Sequence, residues 1–108
     1  TEDVKSIGRE ITFEKDVSDF DLLKRVLSDI SEDIYSTTKN EGYSFRTVVL
    51  KIRFKGFETH TKQKSLKQEP GLEEVKDTAS DLLSCFSDSK KRVRLIGLRL
   101  TNLSKVEK

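Results

Sequence analysis

Basic and small polar side chains alternate along three short segments of this 108-residue sequence. Lys5–Glu10 reads KSIGRE, Thr61–Leu66 reads TKQKSL and Arg94–Leu100 reads RLIGLRL. Lysine and arginine attract anionic oxygens, and small residues let a backbone N–H approach the same oxygens closely. The chemistry that these segments can perform is therefore the binding of a polyanion.

Residue types for nucleophilic catalysis or metal binding are scarce. The sequence has one cysteine, Cys85, and one histidine, His60. They provide neither an internal disulfide nor the ligands of a structural zinc site. Cys85 adjoins an apolar helical stripe and is expected to be packed or half-buried, whereas His60 is expected to face solvent or nucleic acid. We predict no catalytic residue, no metal site and no cofactor.

The elements that position these residues follow from hydrophobic periodicity. Alternation with period two predicts strands at Ile7–Phe13, Arg46–Phe54, Thr59–Leu66 and Leu95–Thr101. The third strand is polar throughout, which is typical of an exposed edge strand. It is expected to pair with the second strand across a turn at residues 55–57.

Two segments show helical spacing instead. The first is predicted to begin at Ser18, with Ser18 and Asp21 as a capping box, and to end before Gly42. The second follows Pro70 and Gly71, and its apolar stripe runs from Leu72 to Phe86.

The order β-α-β-β-α-β favours an α+β fold. Right-handed crossovers give a four-stranded antiparallel sheet with two helices packed on one face and the other face bare. The length suits one domain, predicted at residues 6–103, with a linker remnant at residues 1–5 and a polar tail at residues 104–108.

Charge is distributed unevenly, although the net charge is only +2. Both predicted helices have an excess of acidic residues, whereas the hairpin and residues 90–99 have an excess of basic ones. A run of charge is ordinarily just a solvated face. Agreement between separate strands favours a nucleic-acid surface, to which the outward residues Lys51 and Arg53 are assigned.

No apolar run could cross a bilayer, so we expect a soluble cytoplasmic protein with no membrane contact.

The three segments, with Thr12-Phe13 after the first, resemble the little-finger domain of Y-family translesion DNA polymerases of the DNA polymerase IV type. The resemblance extends from Lys5 to about Leu103. It implies a non-catalytic domain that grips template–primer duplex DNA with its sheet in the major groove during lesion bypass. It also implies palm, finger and thumb domains as partners, and Mg²⁺ in that separate catalytic core.

The resemblance further implies a set of DNA contacts. Two residues of this sequence depart from the family's pattern. Glu10 is poorly suited to a phosphate surface, and Leu95 stands where a second basic residue can follow Arg94. The sequence does not end in a recognisable sliding-clamp peptide, so no clamp contact through the tail is predicted, while contact through the domain stays open. The implied contact residues are Ser6, Gly8, Thr12, Thr61, Lys62, Lys64, Arg94 and Arg99.

Three alternatives remain beside this interpretation. An independent enzyme lacks a convergent set of catalytic residues. An RNA-recognition module has the same element order, and residues 55–57 imitate the start of its motif, but the outward aromatic side chains for base stacking are missing. A protein-interaction domain would use the acidic helices or a sheet edge.

Overall fold

The computed structural model describes residues 6–56, 58–67, 70–87 and 91–106. The four long strands form one antiparallel sheet, in the spatial order Ser6–Val17, Val93–Thr101, Thr47–Phe54 and Thr59–Ser65, and both helices pack on the same face. The predicted α+β fold is therefore confirmed. In chain order the elements are β1 (Ser6–Val17), α1 (Phe20–Asn40), β2 (Tyr43–Ser44), β3 (Thr47–Phe54), β4 (Thr59–Ser65), α2 (Leu72–Ser84), β5 (Val93–Thr101) and β6 (Ser104–Lys105).

A single core lies between the sheet and the helices. Leu50 and Ile52 of β3 are completely buried, and they belong to one cluster with Leu23 of α1 and Val75 of α2. Strand side chains alternate across the sheet, whereas helical ones return every three to four residues, so each element supplies one apolar face. The burial of these faces is the main stabilisation of the fold.

Helix α1 is capped by Asp19, so the predicted capping box at Ser18 is wrong. The Asp19 Oδ1 atom accepts hydrogen bonds from the backbone N–H groups of Asp21 at 2.9 Å and Leu22 at 3.3 Å. A carboxylate at this position satisfies free N–H groups of the first turn and also interacts favourably with the helix dipole.

The pairing of β1 with β5 is interrupted, and β1 extends beyond the predicted end at Phe13. Its register is regular from Ser6 to Thr12 and resumes at Val17, opposite Val93. The register between β3 and β5 also shifts at this point, which leaves Arg94 as an extra residue. Irregular pairing of this kind bends a strand and hides its period-two pattern.

A second, two-stranded sheet joins β2 to β6. Tyr43 pairs with Lys105, whose Nζ lies 4.7 Å from the centroid of the Tyr43 ring. The Val106 N–H donates to the Gly42 carbonyl at 2.8 Å. Ser104 and Lys105, expected to begin a polar tail, thus form a strand that is too short to show a sequence period.

Several expectations concern residues outside the described part of the chain. These are the linker remnant at residues 1–5, Phe57 of the turn, Lys90 of the basic run, and residues 107–108 of the tail. Neither helix within the described residues is long and apolar enough to span a membrane.

Replacing Leu50 by alanine should destabilise the chain by about 2–5 kcal/mol, because a fully buried leucine leaves a cavity. Urea unfolding followed by circular dichroism measures this loss. Val106→Ala is the control, since Val106 is 46% exposed and its truncation should cost less than about 0.5 kcal/mol. Equal losses in the two variants would contradict the assigned core.

Candidate nucleic-acid interface on the open sheet face

Side chains directed away from both helices make up the open face of the sheet. The pairing register aligns them in four rows that run across β1, β5, β3 and β4. The first row is Ser6-Thr101-Thr47-Ser65, the second Gly8-Arg99-Val49-Gln63, the third Glu10-Gly97-Lys51-Thr61 and the fourth Thr12-Leu95-Arg53-Thr59. The four rows contain three cations, one carboxylate and no aromatic residue.

Gly8 allows β1 and β5 to approach closely in the second row. A Cβ at this position would lie 2.7 Å from the Leu98 carbonyl oxygen and 3.1 Å from the Arg99 Cα. Gly8 therefore has a packing role in addition to the predicted phosphate contact, which stays a prediction.

The third row contains an ion pair that crosses β5. The Glu10 side chain lies over Gly97, where a Cβ would be 2.8 Å from the Glu10 Cγ. Its Oε2 atom is 2.8 Å from the Lys51 Nζ. Both side chains are partly exposed, at 42% for Glu10 and 29% for Lys51. Glu10, the carboxylate that departs from the expected pattern, thus forms an ion pair with Lys51, a predicted contact residue.

Arg99 is the exposed cation of the second row. Within the described part of the chain its guanidinium has no carboxylate partner. A shallow depression of about 370 Å³ opens beside it, lined by Ser6 and by most of the second and third rows. Five of the ten predicted contact residues line this depression, namely Ser6, Gly8, Lys51, Thr61 and Arg99.

Arg53 in the fourth row is held by the neighbouring strand. Its Nε–H donates to the Thr59 Oγ1 at 2.9 Å, and its terminal N–H groups have no carboxylate partner within the described residues. Thr12 is exposed in the same row, while Leu95 between them is only 6% exposed. The leucine that departs from the expected pattern is therefore covered.

Lys62 and Lys64 do not join the open face. They pair with Leu50 and Val48, whose side chains point toward the helices, whereas Thr61 pairs with Lys51 on the open face. Both lysines are exposed because β4 is an edge strand. The structure therefore places them around the edge from Thr61.

Arg94 lies apart from Arg99, at the irregularity in β5. Its Nη1 donates to the Asp16 Oδ1 at 3.3 Å, and its side chain is 47% exposed. Asp16 therefore partly neutralises the charge of Arg94, a predicted contact residue. Arg99, in contrast, has no carboxylate partner within the described residues.

Basic residues on the helical side of the sheet also form ion pairs with acidic residues. Arg9 of β1 bonds Asp33 of α1. The Lys76 Nζ lies 2.6 Å from the Glu32 Oε2, and this hydrogen bond raises the pKa of Lys76. These contacts tie the acidic helices to one another and to β1, on the side opposite the open face.

His60 belongs to an aromatic cluster on the helical side. Its ring lies 5.8 Å from both Phe54 and Phe86, and its Nε2 is 3.0 Å from the Glu58 Oε1. Glu58 also bonds Lys91, and this contact, followed by that with His60, lowers the pKa of the Glu58 carboxyl. His60 is exposed, but it does not border the open face.

Cys85 is exposed after the end of α2, so the expectation of a packed or half-buried thiol is wrong. Cys85 is the residue that follows the helix end at Ser84, and its Sγ lies 3.8 Å from the Asp81 carbonyl oxygen. Among the described residues, no cluster of three histidine, cysteine or acidic side chains is arranged to hold a metal ion.

Residues 4–108 match the impB/mucB/samB family C-terminal domain. The chain belongs to that family. It is 39% identical over 103 residues to DNA polymerase IV of Methanoculleus marisnigri, covering 94% of this chain and 28% of that protein. It is 40% identical over 108 residues to DNA polymerase IV of a Dehalococcoides mccartyi strain, covering 98% and 28%.

Solved structures show the same fold at lower identity. A Y-family DNA polymerase chimera superimposes with a TM-score of 0.83 at 20% identity, covering 98% of this chain and 30% of the chimera. A little finger domain of PolIV, solved in complex with a β-clamp processivity factor, has a TM-score of 0.72 at 16% identity, covering 95% and 93%. The predicted resemblance to the little finger is confirmed, and the chain spans 28–30% of the length of these polymerases.

The sequence did not predict the side-chain hydrogen bonds at the first row of the open face. The Asn102 Nδ2 donates to the Thr47 Oγ1 at 2.6 Å, and Thr47 and Ser65 hydroxyls are 3.1 Å apart. Asn102 has a φ of 55°, a left-handed conformation that asparagine tolerates well. Its position one residue after a predicted strand was the only local signal for this turn.

Replacing Gly8 by alanine should destabilise this family member by about 1–3 kcal/mol, because the new methyl group meets the Leu98 carbonyl. Chemical denaturation measures the change. Gly71→Ala is the matched control, since a methyl group at position 71 would have no atom beyond its chain neighbours within 4 Å, and its loss should be smaller. If Gly8→Ala were as stable as the unaltered chain, the close approach of β1 and β5 would be refuted.

Proposed function

We propose that this chain is the duplex-DNA-binding little finger of a DNA polymerase IV-type enzyme, and that the open face holds the template–primer backbone. The observation that carries the proposal is the open face itself, uncovered by the helices and built from small polar residues, Lys51, Arg53 and Arg99. Its relatives at 39% and 40% identity are named DNA polymerase IV, which supports the same assignment.

The dimensions of the sheet suit a duplex. Three inter-strand spacings separate β1 from β4, or about 14 Å, and the major groove is about 12 Å wide. The central strands then lie over the groove, while the outer strands reach the phosphates on either side. In this proposal Ser6 and Thr12 of β1, and Thr61 of β4, contact those phosphates, and Lys62 and Lys64 extend the same edge.

Affinity in this arrangement is mainly electrostatic. Lysine and arginine release counterions from phosphates, and these contacts are largely independent of base sequence. The helices carry acidic residues on the opposite side, so repulsion from DNA favours binding through the open face. The absence of aromatic residues from the four rows disfavours single-stranded RNA, which is bound largely by base stacking.

In this proposal the chain binds DNA, and other domains catalyse the reaction. Nucleotide transfer requires carboxylates that hold Mg²⁺ against the triphosphate, and we assign these to the catalytic domains of the longer polymerase. Palm, finger and thumb domains are then partners of this one. The proposed role is to keep the duplex in place during synthesis past DNA damage, in the cytoplasm.

Arg99→Ala should weaken duplex binding, because it removes an exposed cation without a carboxylate partner among the described residues from the open face. Fluorescence anisotropy with a labelled duplex at several salt concentrations measures both the affinity and the salt slope. Four to six neutralised phosphates give a log–log slope of about −4 to −5, and the variant should reduce its magnitude by about 0.9.

Arg25→Ala is the control, since Arg25 is an exposed arginine of α1. It should change the affinity much less than Arg99→Ala. Equal effects of the two variants, or NMR shifts concentrated on α1 and α2 during a DNA titration, would overturn the assignment of the open face.

A sliding clamp is a second proposed partner. The solved little finger of PolIV that shares this fold is in complex with a β-clamp processivity factor. We expect this chain to bind a β-clamp through a surface outside the open face. Calorimetry should detect binding by the unaltered chain and by Arg99→Glu alike, while only the unaltered chain retains full DNA affinity. No clamp binding by either protein would refute this partner.

A further inference from the structure

Glu10 is the single carboxylate of the four rows, and its position is built into the sheet. It lies on the outer strand β1 and crosses Gly97 to reach Lys51 on β3. Only glycine at position 97 leaves room for this path, because a Cβ there would be 2.8 Å from the Glu10 Cγ and 3.0 Å from the Arg9 carbonyl oxygen.

The ion pair places two anions in competition for one ammonium group. If Lys51 stays with Glu10, it cannot neutralise a phosphate. If Lys51 turns to a phosphate, Glu10 is left unpaired beside the polyanion, and like charges repel. Both outcomes remove part of the affinity that the third row would otherwise provide.

The pair is also easily exchanged. Both side chains are partly exposed, and exposed ion pairs contribute little to the stability of a fold. Glu10 can therefore affect DNA binding without being needed to hold β1, β5 and β3 together, since main-chain pairing and the core do so.

From this geometry we infer that Glu10 is an affinity-limiting residue, which competes with DNA phosphate for Lys51 and keeps duplex binding weak. The inference rests on the proposed function of the open face. A domain that follows a growing duplex must break and renew its phosphate contacts at each step. A carboxylate that takes back the lysine lowers the affinity of each bound position and so favours release.

The test is a double-mutant cycle with Glu10→Gln, Lys51→Ala and the double variant, measured by anisotropy with one labelled duplex. Glu10→Gln keeps the size of the side chain and removes its charge. It should tighten binding about eightfold at 0.1 M salt and steepen the salt slope by about 0.9, as expected for one more neutralised phosphate. In the Lys51→Ala background the gain from Glu10→Gln should shrink to the part that comes from relief of charge repulsion alone, and Lys51→Ala should weaken binding less when Glu10 is present.

Glu74→Gln is the matched control, because Glu74 is an exposed carboxylate in the first turn of α2 and its loss changes the net charge equally. It should alter the affinity far less than Glu10→Gln. Circular dichroism melting of each variant establishes that the fold is retained.

The outcomes separate this inference from the proposed function. If Arg99→Ala weakens binding while Glu10→Gln leaves it unchanged or weaker, the affinity-limiting role is overturned and the DNA-binding face stands. An equal gain from Glu74→Gln also overturns it, since net charge would then explain the effect. If neither the unaltered chain nor Glu10→Gln binds duplex at low salt, both the inference and the proposed function fail.

Discussion

The position of β5 between β1 and β3 is the constraint on which the rest of the structure depends. Its inward residues Ile96, Leu98 and Leu100 are nearly or fully buried in the core, while the alternate positions complete the middle of the open face. Because successive side chains leave a strand on opposite sides, core and surface requirements meet residue by residue along one segment. A slip of one residue would bring Arg99 into the core and expose Leu98.

Close pairing of β5 with both of its neighbours also explains why the open face is nearly flat. Gly8 and Gly97 have no room for a Cβ against the adjacent strand, so the second and third rows each contain a position without a side chain. These gaps expose backbone and let the side chains of neighbouring positions lie flat, as Glu10 does over Gly97. A surface of this kind presents charge and main-chain groups to a broad, regular polyanion better than it forms a deep pocket for a small ligand.

Net charge is a poor guide to this protein, because several basic residues already form ion pairs with acidic ones. Arg9, Lys76 and Arg94 bond acidic residues, and Lys51 shares a carboxylate on the open face itself. The electrostatic character of the face therefore depends on a few side chains, Arg99 above all. The fold, by contrast, depends on a pattern of apolar positions, which explains how Y-family structures at 16–20% identity superimpose on nearly the whole chain.

Local periodicity by itself determined the four long strands apart from the irregular end of β1, the two helices, the edge position of β4 and the outward phase of Lys51 and Arg53. Tertiary structure alone decided the contacts between distant segments. Alternation along β4 puts Thr61 on the opposite side from Lys62 and Lys64, but only the pairing with β3 decides that Thr61 is the one that shares the open face with Lys51. Likewise, Glu10 and Lys51 are 41 positions apart and meet only because β5 lies between their strands and has glycine at the crossing. Periodicity is a property of neighbouring residues, whereas strand order, register and the space above a glycine arise only when the chain is folded.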